Sequence, residues 1–482
     1  MGGRTDEAGG DFASPLATRY ATPDMLANFS ERRRALLWRD LWIALATAER
    51  ELGLPILSQQ IDALRACRDE IDFERIGVLE LALRHDVMAH VRHYGELAGH
   101  DAEKVIHLGA TSCYVTDNAD LVMMRDGLEL MMDRVFSALE PLRSFAVRHR
   151  SVPTLAYTHF QPAQLTTVGK RACMWAQDLA FDLQTLSDLR GRLWFRGAKG
   201  TTGTQASFLA LFEGDHGKVR ALDQHVCTAM GFERSMPVTG QTYTRKLDTW
   251  VVSTLADVAG SAAKIANDIR LLAHEREIEE PFEDAQVGSS AMAYKRNPMR
   301  SERIVGLARF VHSLSTSPRE THANQWLERT LDDSANRRLV VTEAFLATDA
   351  ILNLLCDVLA GLIVNEAVIA HNVTEQMPFM MTENLIMRGS KAGKSRQELH
   401  EHIRQLSHAA LRKLKQGHAN DLGERLASDP VLAPFFDARL VAPDNYIGRA
   451  PEQVDEFMRD YLDPMLTAHV HRRGRFRACV RV

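Results

Sequence analysis

The sequence predicts an all-α protein organised around a bundle of long helices, and three observations carry that prediction. Four segments place apolar residues at alternating spacings of three and four, the period of one helix face and not of a strand. Stretches of about 25 residues at this period make rods of roughly 38 Å, longer than an ordinary globular helix. Apolar residues also fall off those seams, at Val122, Met123, Met132, Val252 and Leu354, so the helices bury more than one face, against each other or against another subunit.

In chain order, residues 1–12 are rich in glycine and acidic groups and read as a disordered start. The first thirty residues contain no apolar run of the kind a secretory signal needs, so the expected setting is the cytosol. Pattern breaks divide the chain into three domains, 1–111, 112–364 and 365–482, which suits roughly 150 residues per domain. The middle domain carries the seams. The first is Leu121, Met124, Leu128, Met131, Val135, Ala138 and Leu142, and the second Val168, Ala172, Trp175, Leu179, Leu183 and Leu186. The third is Leu247, Val251, Leu255, Val258, Ala262, Ile265, Ile269 and Leu272, and the fourth Val341, Phe345, Thr348, Leu352, Leu355, Leu359 and Leu362. Ala344 to Ile363 is the most apolar stretch, but Asp349, Asn353 and Asp357 interrupt it, so no transmembrane helix is expected. Arg472, Arg473, Arg475, Arg477 and Arg481 form a basic tail, read as a solvated end.

The 58 basic and 63 acidic residues leave a formal net charge of −5 on 482 residues. That balance argues against a dedicated nucleic-acid binder and requires any basic site to be a local cluster. The six cysteines lie far apart with no Cys-x-x-Cys pair, which indicates reduced, mostly buried thiols and no zinc site or disulfide framework. His85, His90, His93 and His100 fit no standard zinc spacing, and Arg84 and Arg92 beside them repel a cation. The glycine-rich Gly197-Ala-Lys-Gly-Thr-Thr-Gly-Thr-Gln lacks the Gly-Lys-Ser/Thr ending of a phosphate loop. Neither a metal nor a cofactor is expected.

Three polar interruptions of the apolar pattern mark candidate functional loops. His107-Leu-Gly-Ala-Thr111-Ser112 precedes the first long helix, where its hydroxyls cap the helix or face an anion. In Thr158-His159-Phe-Gln-Pro162, the proline suits a first helical turn and leaves His159 in the loop that enters it. The longest runs from Gly288 to Arg303, with Asn297 and Pro298 reading as N-cap and N1 of a helix. Three such loops, each feeding a helix, would converge positive helix ends on an anionic ligand. In Arg329-Thr-Leu-Asp-Asp-Ser334-Ala-Asn-Arg-Arg338, Ser334 and Arg338 sit four apart on one helix face and can share one anion. The plainer reading of that run is an exposed face salt-bridged through Asp332 and Asp333.

Gly288 to Pro298 resembles the signature of the fumarase/aspartase superfamily, Gly-Ser-x-x-Met-Pro-x-Lys-x-Asn-Pro. The runs Ser289 to Arg303, Thr158 to Arg171, Lys199 to Phe208 and Arg329 to Arg338 are similar, more narrowly, to the adenylosuccinate lyases of the animal type. The similarity extends from about Ser14 to Pro451. It implies a three-domain fumarase/aspartase-like fold in a homotetramer, whose central helices form a shared bundle and whose active sites each draw loops from three subunits. It also implies elimination of fumarate from adenylosuccinate to give AMP, and from the succinyl-carboxamide ribonucleotide SAICAR to give AICAR.

This β-elimination needs a base for the proton beside a carboxylate and an acid for the departing nitrogen. By the resemblance Ser289 is the base and His159 the acid, with His85 as the alternative acid. Serine is a poor base until positive charge and helix dipoles activate it. Lys295 and Asn297 match positions that stabilise the aci-carboxylate intermediate, and Glu302 the carboxylate that orients the catalytic histidine. Thr111, Ser112 and Gln241 resemble succinyl contacts, with Thr158 beside the acid. Arg329, Ser334 and Arg338, joined by Arg19 and Tyr20, resemble a phosphate clamp. Arg303 and Arg84-His85-Asp86 match further substrate-contact positions. The chain departs from the superfamily pattern at Ala293, where proline is usual; a freer loop costs about 0.4–1 kcal/mol of ordering on closure.

Overall fold

A computed structural model describes residues 12–283 and 286–480. The disordered start expected for residues 1–12 lies outside them apart from Phe12, as does Arg481 of the basic tail.

The chain is mostly helical, as its periodicity predicts. The core is a bundle of α1 (Ser112–Arg148), α2 (Val168–Arg192), α3 (Lys246–His274), α4 (Met299–Leu314) and α5 (Asp332–Ala360). Helix α1 packs on α2 and α5, α3 on α2, α4 and α5, and α4 on α5. The seam residues of α1 to α3 are all buried, and those of α5 are buried from Val341 to Leu359. The off-seam residues Val122, Met123, Met132, Val252 and Leu354 are buried as well, all within one chain. The apolar groups that α2, α3 and α5 turn outward are a different set: Met174, Phe181, Trp250, Leu271 and Leu339.

Helix α5 is long and apolar enough to cross a membrane, but it lies inside the bundle, and its polar interruptions have partners there. Asp349 pairs with Arg134, Asn353 with the backbone of Cys479, and Asp357 with Arg300.

Two antiparallel pairs stand among the helices. Strands β1 (Pro153–Thr158) and β2 (Gln161–Thr167) form a hairpin between α1 and α2. Pro162, expected in a first helical turn, lies in β2 opposite Tyr157, where the register shifts and its missing N–H costs no regular ladder bond. Helix α2 starts later, at Val168, with the Thr167 hydroxyl accepting from the Lys170 amide at 3.1 Å. Strands β3 (Ile278–Glu279) and β4 (Ile363–Val364) tie the exit of α3 to the exit of α5.

These connections fix the helix directions. Helices α1, α3 and α5 begin at one end of the bundle, where Arg245, next to the start of α3, bonds both Asp117 of α1 and Asp333 of α5. The hairpin, β3–β4 and the start of α4 lie at the other end. At 1.5 Å per residue, the 37 residues of α1 span about 55 Å and the 29 of α3 about 44 Å between the two ends. The Glu31–Glu51 helix packs on α1, and the Glu366–Lys391 helix packs on the hairpin.

Candidate active site

At the end where α1 and α5 begin, a cleft of about 950 Å³ opens between the N-terminal helices and the bundle. It is lined by Arg84, His85, Asp86, Thr111, Ser112, Gln241, Arg329, Ser334 and Arg338, all expected site residues. Thr111 is the extended residue before α1, and Ser112 is the first residue of its opening turn. Ser334 lies in the first turn of α5, so two helix N-termini face the cleft and favour an anion. Arg84 ends the Phe73–Leu83 helix in the left-handed region, φ 54°, which turns the chain directly into His85. His85 caps the Asp86–Ala98 helix with Nδ1 and turns Nε2 to the Ser112 hydroxyl at 3.3 Å.

Opposite walls meet where Arg338 Nη2 donates to Asp86 Oδ2 at 2.7 Å. Burial pushes the Asp86 carboxyl up, but hydrogen bonds from Arg338 and the Val87 amide outweigh it and hold the group below its ordinary value. Arg329 donates to Gln241 Oε1 at 3.3 Å and touches Cys113 Sγ. Burial pushes the Cys113 thiol up to about 11, so it is a neutral wall group and not a nucleophile at pH 7.

Beneath the cleft lies a charge network that sequence reasoning missed. The Arg245 guanidinium, 2% exposed as a residue, takes Asp117 in a two-pronged pair at 3.1 Å per prong and donates from Nε to Asp333 Oδ2 at 2.8 Å. Asp333 Oδ1 is 3.8 Å from Arg329 Nη2. Beside them Arg337 joins Asp248, Asp120 and the Tyr243 hydroxyl. Asp333 is therefore buried, and the run from Arg329 to Arg338 is an exposed ion-paired face only in part. The available signal was the run of Gln241 to Arg245, which places a cation next to the start of α3.

The other expected residues lie at the far end. His159 and Phe160 form the tip of the hairpin, both with positive φ (53° and 60°), and Thr158 ends β1; all three are exposed. The signature loop rises beside the start of α4. Ser289 Oγ accepts from the amides of Ala291 and Met292 at 3.3 and 3.2 Å. Lys295 projects into solvent. Asn297 donates to the Gly288 carbonyl at 2.8 Å and so closes the neck of the loop. A Cβ at Gly288 would stand 2.0 Å from the Lys295 carbonyl oxygen, so only glycine fits the neck.

Asn297 is thus not the expected cap: α4 begins at Met299, and Glu280 takes the capping role. Its carboxylate accepts from the Arg300 amide at 2.9 Å and from the Ser301 amide at 3.0 Å. Glu302 lies exposed in the first turn of α4, with Arg303 half-buried beside it.

The three loops expected to converge their helix ends do not do so within one chain. His107 to Ser112 opens α1 at the cleft, whereas the hairpin and the signature loop open α2 and α4 at the far end. His107 itself is a half-buried structural group that accepts from Trp42 Nε1 at 2.9 Å. Arg19 and Tyr20 belong to a turn packed on α5 and do not line the cleft. Of the histidines weighed for a metal, His90 packs edge-on against Trp38 at 4.8 Å and His93 accepts from the Asp72 amide.

Residues 18–312 match the family model described as Lyase, and residues 378–457 match Adenylosuccinate lyase C-terminus. The chain is 50% identical over 455 residues to adenylosuccinate lyase of Schizosaccharomyces pombe, covering 93% of this chain and 94% of that protein. To adenylosuccinate lyase of Schistosoma mansoni it is 47% identical, covering 95% and 96%. The fold is similar to that of a fumarate lyase from Mesorhizobium sp. BNC1, with a TM-score of 0.80 at 24% identity, over 92% of this chain and 99% of that one.

Proposed function

The chain belongs to the adenylosuccinate lyase family, and from that premise we propose a reaction and an assembled site. The protein eliminates fumarate from adenylosuccinate to leave AMP, and from SAICAR to leave AICAR. One observation carries the account of the site: the expected residues divide between two bundle ends about 44–55 Å apart, so no single chain holds them together. A homotetramer with antiparallel bundle packing joins the cleft of one subunit to the hairpin and the signature loop of others. The outward-facing Met174, Phe181, Trp250 and Leu271 supply the apolar surface for that packing.

In the assembled site the phosphate lies against Arg329, Ser334 and Arg338 at the start of α5, with Arg19 and Tyr20 of another subunit completing the clamp, since their own turn is anchored at Asp349, well along α5. Two helix N-termini and the guanidinium groups offset its charge. Thr111, Ser112 and Gln241 hold the succinyl carboxylates, while Arg84, His85, Asp86 and Arg303 frame the rest of the nucleotide. Ser289 removes the proton beside the β-carboxylate. Its Oγ already accepts two backbone N–H groups, which stabilise the alkoxide that acts as base. The electron pair moves onto the β-carboxylate, and Lys295 stabilises the aci-carboxylate together with Asn297, once Asn297 exchanges the Gly288 carbonyl for substrate. The C–N bond then breaks, and His159, oriented by Glu302 with Thr158 alongside, protonates the leaving nitrogen. Closure of the exposed hairpin tip and signature loop over the cleft excludes water from this exchange.

Ultraviolet absorbance of the purified protein with adenylosuccinate, with argininosuccinate as the control substrate, tests the proposal. AMP and fumarate form with the first and nothing with the second, and His159→Ala and Ser289→Ala abolish turnover. Full activity in both variants would remove the acid and base assignments.

A further inference from the structure

The basic tail, expected to be a solvated end, is a strap laid across the bundle. Arg472, 4% exposed, donates to Asp133 at 2.7 Å and to Glu129 at 2.8 Å, both on α1. Ser137 donates to the Phe476 carbonyl at 3.2 Å. Asn353 of α5 meets the Cys479 backbone in both directions, donating to its carbonyl at 3.1 Å and accepting from its amide at 2.9 Å. Between these anchors the Phe476 ring covers a guanidinium, with Arg134 Cζ 4.5 Å from the ring centroid.

Arg134 is fully buried and is the node of a second charge network. Its Nε donates to Asp349, and its Nη2 donates to Thr22 Oγ1 at 2.8 Å and to Asp24 Oδ1 at 2.7 Å. Asp349 also accepts from the Thr22 amide at 2.6 Å and the Thr22 hydroxyl at 3.0 Å. Thr22 follows the turn that carries Arg19 and Tyr20. That turn is therefore anchored in a buried ion pair whose outer side is closed by one aromatic ring from the far end of the chain.

We infer that Phe476 and Arg134 are positioning residues for Arg19 and Tyr20 at the phosphate end of the active site. The inference rests on the proposed role of that turn in the phosphate clamp. A buried ion pair holds its partners firmly only while water is kept out, and the ring both excludes water and attracts the cation to its face. Without the ring, Arg134 hydrates, Thr22 loosens, and Arg19 must be ordered each time a nucleotide binds. The loss falls on nucleotide binding and not on proton transfer, which occurs at other residues.

The test uses full-length Phe476→Ala, Phe476→Leu, Phe476→Tyr and Arg19→Ala proteins and the Arg19→Ala/Phe476→Ala double variant. The Ala and Leu variants raise KM for adenylosuccinate and the inhibition constant of AMP about 3- to 10-fold. Their kcat and the inhibition constant of fumarate stay unchanged, and Phe476→Tyr restores wild-type values. The loss from Phe476→Ala is smaller in the Arg19→Ala background than in the wild-type protein, because one of the two residues that the ring positions is already gone. Should Phe476→Ala fail to fold, Phe476→Leu, which fills the space without a π face, decides the matter. A raised KM in Arg19→Ala with none in the Phe476 variants overturns the inference and leaves the clamp standing. No change in Arg19→Ala removes the clamp role of the turn and the inference with it. Multiplicative losses in the double variant, or equal losses of kcat and fumarate binding, reduce the ring to a support of the fold and also overturn it.

Discussion

Arg338 and Asp86 join opposite walls of the cleft at 2.7 Å, although 252 positions separate them in the chain. The carboxylate aligns a guanidinium whose other N–H groups have no partner among the described residues and can meet an anion, and it brings the Asp86–Ala98 helix against α5. A binding cation held this way is ordered before the ligand arrives, which lowers the entropy cost of binding.

Arg338→Ala should therefore raise KM for adenylosuccinate roughly 10- to 150-fold, the worth of one charge-assisted hydrogen bond. Arg338→Lys recovers only part of this, since a point charge cannot bridge Asp86 and a phosphate as a planar fork can. Initial-rate kinetics read both effects, and an unchanged KM in Arg338→Ala would contradict the clamp.

The signature loop has a site for a stabilising change. Ala293 lies on its exposed part, and among the described residues its amide makes no hydrogen bond that proline would remove. Ala293→Pro should ease loop closure by about 0.4–1 kcal/mol, seen as a lower KM or a faster turnover. Identical kinetics in the variant would sink the idea.

Arg245 supports the cleft through Asp117 and Asp333. Arg245→Met leaves two carboxylates buried without their cation and should cost about 3–5 kcal/mol of stability. Urea denaturation measures it. A loss below 1 kcal/mol would mean that the network relaxes on losing its centre.

Glu49 is fully buried, and among the described residues neither carboxylate oxygen has a hydrogen-bond partner. Burial pushes its pKa up to about 8, so the folded protein holds a proton there that the unfolded chain releases near its ordinary value of 4.5. The sign follows directly: this stabilisation is complete below the unfolded value and is lost as pH rises through about 8. Glu49→Gln should flatten the decline in melting temperature between pH 6 and pH 9. A decline of equal slope in the variant would place the pH dependence elsewhere.

The bundle was legible because a helix that buries one face must repeat its apolar residues at a period near 3.6, whatever it packs against. The hairpin was not, because its tip uses His159 and Phe160 in the left-handed region without the Asn-Gly signal that marks such turns. Cleft residues such as Arg329 and Ser334 were legible from their motifs one at a time. Their separation from His159 and Ser289 was hidden, since it depends on which end of each helix a loop leaves. Asp333 looked exposed because its cation, Arg245, arrives from another helix. Long-range pairs of that kind leave no period in the sequence, and the tail's strap over Arg134 was hidden for the same reason.

The central claim is that one site is assembled from several chains, and mixing two dead variants tests it most directly. His159→Ala and Lys295→Ala proteins are each inactive with adenylosuccinate. Dissociated, mixed and reassembled, they regain a substantial share of wild-type activity, because some sites in the hybrid draw the intact histidine from one chain and the intact lysine from another. A hybrid that forms but stays as inactive as its parents would contradict a site that draws its hairpin and its signature loop from different subunits.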